Sequence, residues 1–292
     1  MTEDGLKGKN ARMIVYFDTN VFDHLERRSC GVTEWDLYRL RRAVRHKYCR
    51  VVLSFLTIEE TLFFIQRDPV HAEAQIKLML ELGDKQLFAL GQEMIINNEI
   101  RAYSHGTPSL PAFISMGVWT EFKIRNFAKP TGDYLTELQD LIEEVRRDKI
   151  VLQALLDKAK ADVKPIADKI GVKRCPFGLY WAQNSGWLAE GLARQARVLS
   201  KVKRRGVDGL LKVKSVAAAV GGILSLIYSH HLENRPPNRG DSRDVMHTIV
   251  ASTADVFVTN DGRLERILSR IPVDGFRVMD LRAFLESLPL WI

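Results

Sequence analysis

Four carboxylates stand at or just beyond the ends of apolar runs in this chain, or at the start of a helical pattern. They are Asp18, Glu60, Asp244 and Asp261. If the runs are neighbouring parallel strands, these side chains meet at one edge of a sheet, where like charges are stable only when protonated or bound to cations. Hard oxygen ligands favour Mg²⁺ or Mn²⁺. One or two such ions activate a water and stabilise the leaving oxygen when a phosphodiester is hydrolysed.

Each acid also has a purely structural interpretation. Asp18 and Asp244 can cap the helices that follow them, and Glu60 suits the third position of a helix. Asp261 can form a turn with Gly262. The spacing of the four residues leaves both interpretations open.

The elements that position these acids are predicted from four short apolar runs. They are residues 13–17 (MIVYF), 48–55 (YCRVVLSF), 255–259 (DVFVT) and 276–279 (FRVM). Strands of this kind alternating with helical patterns predict an α/β fold with a parallel sheet, and a short amphipathic helix follows the last run as far as residue 288. Ligands of such sheets bind beyond the carboxyl ends of the strands.

The middle of the chain has a different pattern. Apolar residues recur every three or four positions over 133–170, which predicts a long helix interrupted near Pro165. A loop over 175–187 and a second helix over 188–202 are expected next. No comparable strand signal lies between 101 and 234. We therefore predict a mostly helical insertion over 101–234, between the second and third acids, within a discontinuous α/β domain of residues 12–100 and 235–292.

The acidic motifs resemble those of a known family. The segments are 17–22 (FDTNVF), 54–62 (SFLTIEETL), 244–261 (DVMHTIVASTADVFVTND) and 276–285 (FRVMDLRAFL). Together they resemble the successive motifs of PIN-domain nucleases, a family with a compact α/β fold and a parallel sheet. Its members include single-strand RNA endonucleases, many of them toxins of toxin-antitoxin pairs. The resemblance covers residues 12–100 and 235–292.

The resemblance implies a role for each matching residue. The catalytic, metal-binding acids would be Asp18, Glu60, Asp244 and Asp261, with Glu59 in reserve for Glu60. Asn20 would help to orient the first acid, and Thr259 would line the site with its hydroxyl. The cofactor would be one or two Mg²⁺ or Mn²⁺ ions.

Other polar residues near the third acid have more than one interpretation. Asp241 is either an extra metal ligand or a solvated charge at a helix N-terminus, and the solvated charge is favoured. His247 lies one helical turn from Asp244 and is interpreted as a helix-surface or core histidine. His230 and His231 precede a proline-rich turn and are interpreted as surface loop residues.

The charge of the chain suggests an anionic partner. Its 292 residues carry 43 Lys and Arg against 36 Asp and Glu, a net charge of +7. Two basic stretches, 39–50 and 194–214, are either solvated faces or a track for RNA phosphates. The candidate RNA-binding residues are Arg42, Arg45, Lys201, Lys203, Arg204 and Arg205.

Several classes of protein are disfavoured. The three cysteines form no CxxC pair, so neither a disulfide framework nor a thiolate zinc site is supported, and a cytoplasmic protein is expected. The most apolar run, 216–228, is too short to span a bilayer, which needs about 20 residues. It is therefore predicted to be a buried core helix without a role in a membrane. No nucleotide-binding P-loop or dinucleotide fingerprint is present.

Two functions remain at this stage. The first is a metal-dependent endoribonuclease that hydrolyses RNA phosphodiester bonds with the acidic Mg²⁺ or Mn²⁺ site. Its expected partners are single-stranded or structured RNA and either a protein inhibitor of the antitoxin kind or a second copy of the chain. The alternative is a non-catalytic PIN-like module that binds RNA or protein with its basic helical insertion.

Overall fold

A six-stranded, mostly parallel sheet forms the centre of the molecule. A computed structural model of the chain describes residues 13–64, 67–127, 176–233, 240–271 and 277–289, together with residues 143 and 235. The strands are β1 (Met13–Phe17), β2 (Cys49–Leu53), β3 (Gly83–Ala89), β4 (Phe113–Ile114), β5 (Val256–Val258) and β6 (Val278–Met279). Their order is β4-β3-β2-β1-β5-β6, and only the β3 to β4 pair is antiparallel. The predicted α/β class with a parallel sheet is confirmed in this form.

Helices cover both faces of the sheet. In chain order they are α1 (Thr19–Arg27), α2 (Glu34–Arg45), α3 (Phe55–Phe64), α4 (Pro69–Leu82), α5 (Gln92–His105), α6 (Val118–Phe127), α7 (Phe177–Gln195), α8 (Leu199–Arg205), α9 (Val207–Leu210), α10 (Lys214–His231), α11 (Asp241–Ala251), α12 (Gly262–Ser269) and α13 (Leu281–Ser287). Within the described ranges, no helix is both long enough and apolar enough to cross a membrane.

Successive side chains of β1 point to opposite faces of the sheet, so β1 contributes to a hydrophobic core on each face. Val15 and Phe17 point to one face, where they join buried residues of α1 to α4 and α13. Tyr16 points to the other face and packs with α10, α11 and α12. Its ring stacks on Phe257 of β5, with the ring centroids 5.4 Å apart. Because all three side chains are fully buried, β1 is anchored on both sides.

The register of the parallel strands brings their carboxyl ends together. Phe17 of β1 pairs with Val258 of β5, and the backbone N–H of Asp18 donates to the carbonyl of Val258 at 3.0 Å. Asp18 then caps α1, and Asp261 caps α12 in the same way just beyond β5. These side chains accept hydrogen bonds from first-turn amides, which explains why a helix begins close after each strand.

The predicted runs at both ends of the chain contain strands, with shifted boundaries in three cases. The first run matches β1 in full, whereas β2 stops at Leu53 because α3 already begins at Phe55. Ser54 directly precedes α3, and its hydroxyl oxygen accepts from the Thr57 N–H at 3.2 Å. Glu60 therefore lies inside α3 and is not a third-position capping residue. Strand β3 was not predicted, because its first four residues are polar or glycine and are not buried.

The predictions for the middle of the chain have different outcomes. The helix predicted over 133–170 lies outside the described residues, except for residue 143. The loop predicted over 175–187 is wrong, because α7 begins at Phe177, directly after Pro176. The helix predicted over 188–202 is divided between α7 and α8, and Arg197 at the break has a φ of 60°. The short strand β4 also lies within the range predicted to be helical.

The run 216–228 forms the buried helix α10, as predicted. Ala217 and Ala218 of α10 pack on the sheet with Tyr16. Gly222 allows close approach to α11, because a Cβ built there would lie 3.1 Å from Oγ1 of Thr248. The Thr248 hydroxyl in turn donates to the carbonyl of Ala218 at 3.2 Å. Thus α10 packs on the sheet although it lies in the predicted insertion range, and the division of the chain into domain and insertion stays a prediction.

Candidate functional site

A cavity of about 680 Å³ opens beyond the carboxyl ends of β1 and β5. Its walls come from α1, α3, α4, α11 and the start of α12. All four acids predicted from the sequence line it: Asp18, Glu60, Asp244 and Asp261. Glu60, rather than its reserve Glu59, is among the lining residues. The acids nevertheless divide into two groups, one around His247 and one around Arg263.

Asp18 is the most firmly held of the acids. Its Oδ1 accepts from the Thr19 N–H at 2.7 Å, and its Oδ2 accepts from the Thr259 hydroxyl at 2.8 Å. Only 6% of the residue is exposed. Burial raises the pKa of this carboxyl, the charge of His247 opposes the rise, and the charge of Glu60 adds to it. Thr259 also accepts from the Asp261 N–H at 3.0 Å, so it links the first acid to the fourth.

Glu60 reaches the same point from α3. Its Oε2 accepts from the Thr19 hydroxyl and lies 3.1 Å from Nε2 of His247. Its Oε1 lies 3.3 Å from Nη1 of Arg243. Burial alone would raise the pKa of Glu60, but the charges of His247 and Arg243 outweigh burial and lower it to about 2.

His247 lies at the centre of this group, and its burial matches the core position that was one of its two sequence interpretations. It is 2% exposed, and its Nε2 lies 3.7 Å from Oδ1 of Asp18. Its Nδ1 lies 2.8 Å from the Tyr16 hydroxyl, which is 3.2 Å from Oγ of Ser54. Burial would lower the pKa of His247, but Glu60 and Asp18 more than offset this and raise it. Its three-residue spacing from Asp244 places both side chains on one helix face, but the sequence did not indicate its contacts with Glu60 and Asp18.

Asp18, Glu60 and His247 form a compact group of potential metal ligands. One ligand atom from each residue lies within 4.8 Å of the others. No other trio of His, Cys, Asp or Glu within the described ranges meets this distance. Asp244 and Asp261 therefore line the cavity without joining this group.

The second group of acids surrounds Arg263. Its Nη2 lies 3.3 Å from Oδ2 of Asp261 and 3.7 Å from Oδ2 of Asp244, and its Nη1 lies 3.8 Å from Oδ1 of Asp241. Burial raises the pKa of Asp244 to about 7, with Arg263 opposing the rise and Asp261 adding to it. Oδ2 of Asp244 is buried and accepts no hydrogen bond from any residue that the structure describes.

Asp241 is not the solvated charge that was predicted. It is 2% exposed, and its carboxylate lies 2.9 Å from Nε2 of His230 and 2.9 Å from Nη2 of Arg235. His230 and His231 belong to α10 rather than to a surface loop, and the His230 side chain is only 11% exposed. The favoured interpretations of these residues are therefore wrong, because the start of α11 is packed against α10.

Asn20 lines the cavity, but the hydrogen bond of its side chain is with Asn260 and not with Asp18. Its Oδ1 accepts from the Asn260 N–H at 3.5 Å. The side chain of Asn260 in turn accepts from the Leu281 N–H at 2.9 Å. These contacts join the loops after β1, β5 and β6, so Asn20 shapes the edge of the sheet on which the cavity lies.

The six predicted RNA-binding residues all lie away from the described lining of the cavity. Arg42 stacks over Tyr38 on α2, and Arg45 is exposed at the end of that helix. On α8, Lys203 pairs with Glu190 at 3.1 Å, and Lys201 lies 3.2 Å from Nε2 of His105. Arg204 and Arg205 are exposed at the end of α8, where Arg205 stacks over Tyr103.

The cations that do line the cavity were missed by the sequence analysis. They are Arg27, Arg243 and Arg263. Nη1 of Arg243 and Nη1 of Arg263 are both buried, and neither donates a hydrogen bond to a residue in the described ranges. Arg243 also stacks over Phe63, with its guanidinium carbon 4.8 Å from the ring centroid. The cavity thus presents guanidinium donors as well as carboxylates.

Comparisons of the chain with models of protein families, with curated proteins and with solved structures found no match.

Proposed function

We propose that this chain is a metal-dependent endoribonuclease that hydrolyses RNA phosphodiester bonds with an acidic Mg²⁺ or Mn²⁺ site. The observation that carries the proposal is the meeting of four carboxylates from distant segments in one cavity. Oδ2 of Asp244 supports the binding of a cation among these carboxylates. A buried carboxylate oxygen without a donor is costly, and a bound cation would satisfy it. The residues present therefore fit a divalent ion.

The sequence resemblance to PIN-domain nucleases supports the same proposal. The residues matching the family's four acids are those that line the cavity. Thr259, which matches the family's site hydroxyl, donates to Asp18. We accordingly assign the sheet and its flanking helices to a PIN-like domain, with the segment between the second and third acids as an insertion.

The guanidinium groups in the cavity favour a phosphodiester as the substrate. Carboxylates alone would repel a polyanion, whereas arginine binds phosphate oxygens in a geometry that suits two hydrogen bonds. Nη1 of Arg243 and Nη1 of Arg263 are buried and make no hydrogen bond to a described residue, although they lie 3.3 Å from Oε1 of Glu60 and 3.8 Å from Oδ1 of Asp241. A phosphate group entering the cavity would provide acceptors for these atoms.

The residues have distinct tasks in this proposal. Asp18, Glu60, Asp244 and Asp261 would hold one or two ions. A bound ion would lower the pKa of its water and neutralise the charge that develops on the phosphate. Thr19 and Thr259 hold the Asp18 carboxylate at a fixed angle through its two oxygens. Arg243 and Arg263 would hold phosphate oxygens against the cavity wall.

The proposal is tested with Asp18→Asn on the full chain. Purified parent and variant are incubated with end-labelled single-stranded RNA in Mn²⁺, in Mg²⁺ and in EDTA. We expect the parent to cleave only with metal, and the variant to be slower by about two orders of magnitude, the scale on which one transition-state charge contact acts. Circular dichroism confirms that the variant is folded.

Asp23→Asn is the matched control. Asp23 also lies on α1 and lines the cavity, but its Oδ1 is engaged by Nε of Arg27 at 3.0 Å. This variant should cleave nearly as fast as the parent. Equal rates for Asp18→Asn and the parent would refute the nuclease proposal. RNA binding without cleavage in any metal would instead favour the non-catalytic PIN-like module.

A further inference from the structure

We propose that His247 is a metal ligand through Nε2, so that Asp18, Glu60 and His247 form a site of two carboxylates and one imidazole. Such a site favours Mn²⁺ or a similar first-row transition ion over Mg²⁺. The inference deepens the proposed function and rests on its metal-binding part. It adds a nitrogen ligand to a site for which the sequence predicted only oxygen.

The first support is the position of Nε2 between the two carboxylates. It lies 3.1 Å from Oε2 of Glu60 and 3.7 Å from Oδ1 of Asp18. Ligand atoms bound about 2.1 Å from one ion, at angles between a right angle and the tetrahedral angle, are separated by about 3.0 to 3.4 Å. The separation from Glu60 lies within that range and the separation from Asp18 lies just above it, and all three ligand atoms lie within 4.8 Å of one another.

The second support is the partner of the other ring nitrogen. Histidines that bind metals almost always donate their second N–H to a fixed acceptor, which holds the ring and selects its tautomer. Nδ1 of His247 lies 2.8 Å from the hydroxyl oxygen of Tyr16. If Nδ1–H donates to that oxygen, the Tyr16 hydroxyl can donate onward to Ser54, 3.2 Å away. The lone pair of Nε2 is then directed at the two carboxylates.

The third support is the rigidity of this arrangement. Tyr16 is fully buried in β1 and stacked on Phe257. Ser54 is held in turn by the Thr57 N–H. His247 is itself 2% exposed on α11. A ring held in this way keeps its place when an ion enters, which is what a supporting shell must achieve.

The type of ion follows from the donor set. Carboxylates alone suit Mg²⁺ and Mn²⁺ about equally, whereas imidazole is a poor ligand for Mg²⁺ and a good one for first-row transition ions. A mixed set of two carboxylates and one imidazole therefore shifts the preference to Mn²⁺. Because Glu60 and Asp18 would also accept a hydrogen bond from a protonated His247, the decisive measurement must detect nitrogen bound to the ion.

The test is electron spin echo envelope modulation of Mn²⁺ bound to the full chain. The parent should show the ¹⁴N modulation of a directly bound imidazole. His247→Gln should lose that modulation, bind Mn²⁺ at least about tenfold more weakly, and discriminate less between Mn²⁺ and Mg²⁺. His71→Gln is the control, because His71 on α4 pairs with Asp23 near the cavity but is not among its described lining residues. It should retain the ¹⁴N signal.

The outcomes separate the inference from the proposed function. Bound Mn²⁺ without ¹⁴N modulation, or modulation that persists in His247→Gln, would overturn the inference and leave a metal-dependent nuclease intact. Failure of the parent to bind Mn²⁺ at millimolar concentration would remove both. Should His247→Gln fail to fold, Tyr16→Phe keeps the ligand but removes its support. It should bind Mn²⁺ about 10 to 100 times more weakly, and an unchanged affinity would overturn the inference.

Discussion

The Nε2 atom of His247 lies 3.1 Å from Oε2 of Glu60, although the two residues are 187 positions apart in the chain. Glu60 belongs to α3, which follows β2, and His247 belongs to α11, which precedes β5. Since β2 and β5 both pair with β1, the sheet brings their neighbouring helices to the same edge. This contact joins segments of the candidate site that come from opposite ends of the chain.

Asp244 should make the stability of the metal-free chain fall as pH rises. Its pKa is raised from 3.8 to about 7 in the folded state, mainly by burial. Between these values the folded chain holds a proton that the unfolded chain has released, so the free energy of unfolding decreases with pH in this window. Asp244→Asn should be more stable than the parent at pH 8 by roughly 2 to 4 kcal/mol, and by little at pH 4.

Urea denaturation in EDTA at several pH values measures this difference. The difference should grow up to about pH 7 and then level off, because Asp244 is then fully ionised. Adding Mn²⁺ at pH 8 should stabilise the parent more than the variant. A stability difference that does not change with pH would contradict the prediction.

Replacing Arg263 should make the chain depend on metal for its stability. Arg263 is the cation between Asp244 and Asp261, so Arg263→Met leaves their charges uncompensated. Its side chain is 29% exposed, and we therefore expect a loss of about 1 to 3 kcal/mol, less than for a fully buried pair. Mn²⁺ should restore more stability to this variant than to the parent.

Thermal unfolding with and without Mn²⁺ checks the effect of Arg263→Met. Arg266→Met is the control, because Arg266 lies exposed on the same helix α12 and does not line the described cavity. The control should respond to Mn²⁺ as the parent does. An equal response to metal in Arg263→Met would count against a cation role for Arg263.

Gly221 should tolerate no larger residue, although it lies within a helix. A Cβ built there would lie 2.6 Å from Cγ1 of Ile271, which is too close without a shift. Gly221→Ala should therefore lower the free energy of unfolding by about 1 to 3 kcal/mol. Gly186→Ala in α7 is the matched control, because nothing lies within 4 Å of its Cβ position. It should raise stability by about 0.5 to 1 kcal/mol through helix propensity. Urea denaturation measures both, and equal signs for the two would contradict the packing argument.

The exposed end of α8 should contribute to RNA affinity through charge. Replacing Lys203, Arg204 and Arg205 with Gln should flatten the plot of log affinity against log salt, by about 0.7 for each phosphate contact that is lost. Lys77→Gln on α4 is the control, since Lys77 is also exposed but lies outside both basic stretches. Fluorescence anisotropy with labelled RNA measures the slopes. An unchanged slope in the triple variant would exclude α8 from the RNA-binding surface.

The sheet edge and the four acids could be predicted because their signals are local. An apolar run followed by Asp18, or by Thr259 and Asp261, indicates where a strand stops and a helix is capped. The structure shows that capping and lining the cavity are compatible, because Asp18 and Asp261 do both. The two interpretations that the sequence left open were therefore not exclusive for these residues.

The missed residues depend on contacts between distant segments. The position of His247 beside Glu60 and the burial of Asp241 against His230 of α10 depend on contacts between distant segments, and their own neighbours in the chain do not reveal them. Arg243 is likewise a polar residue whose partner, Glu60, lies on α3. β3 was missed because its first residues carry charge, and only its last three are buried in the core.

The pairing of β1 with β5 has a consequence for the order in which the protein acquires its site during translation. Asp18 accepts a hydrogen bond from the hydroxyl of Thr259, which lies 241 residues later in the chain. While the ribosome is still adding the middle of the chain, β1 has one edge without its partner strand, and Asp18 and Glu60 stand without His247. The group of Asp18, Glu60 and His247 can form only after residue 247 has left the exit tunnel, and the hydrogen bond from Thr259 only after residue 259 has left it. A nascent chain therefore carries the first two acids of the site but not the site itself.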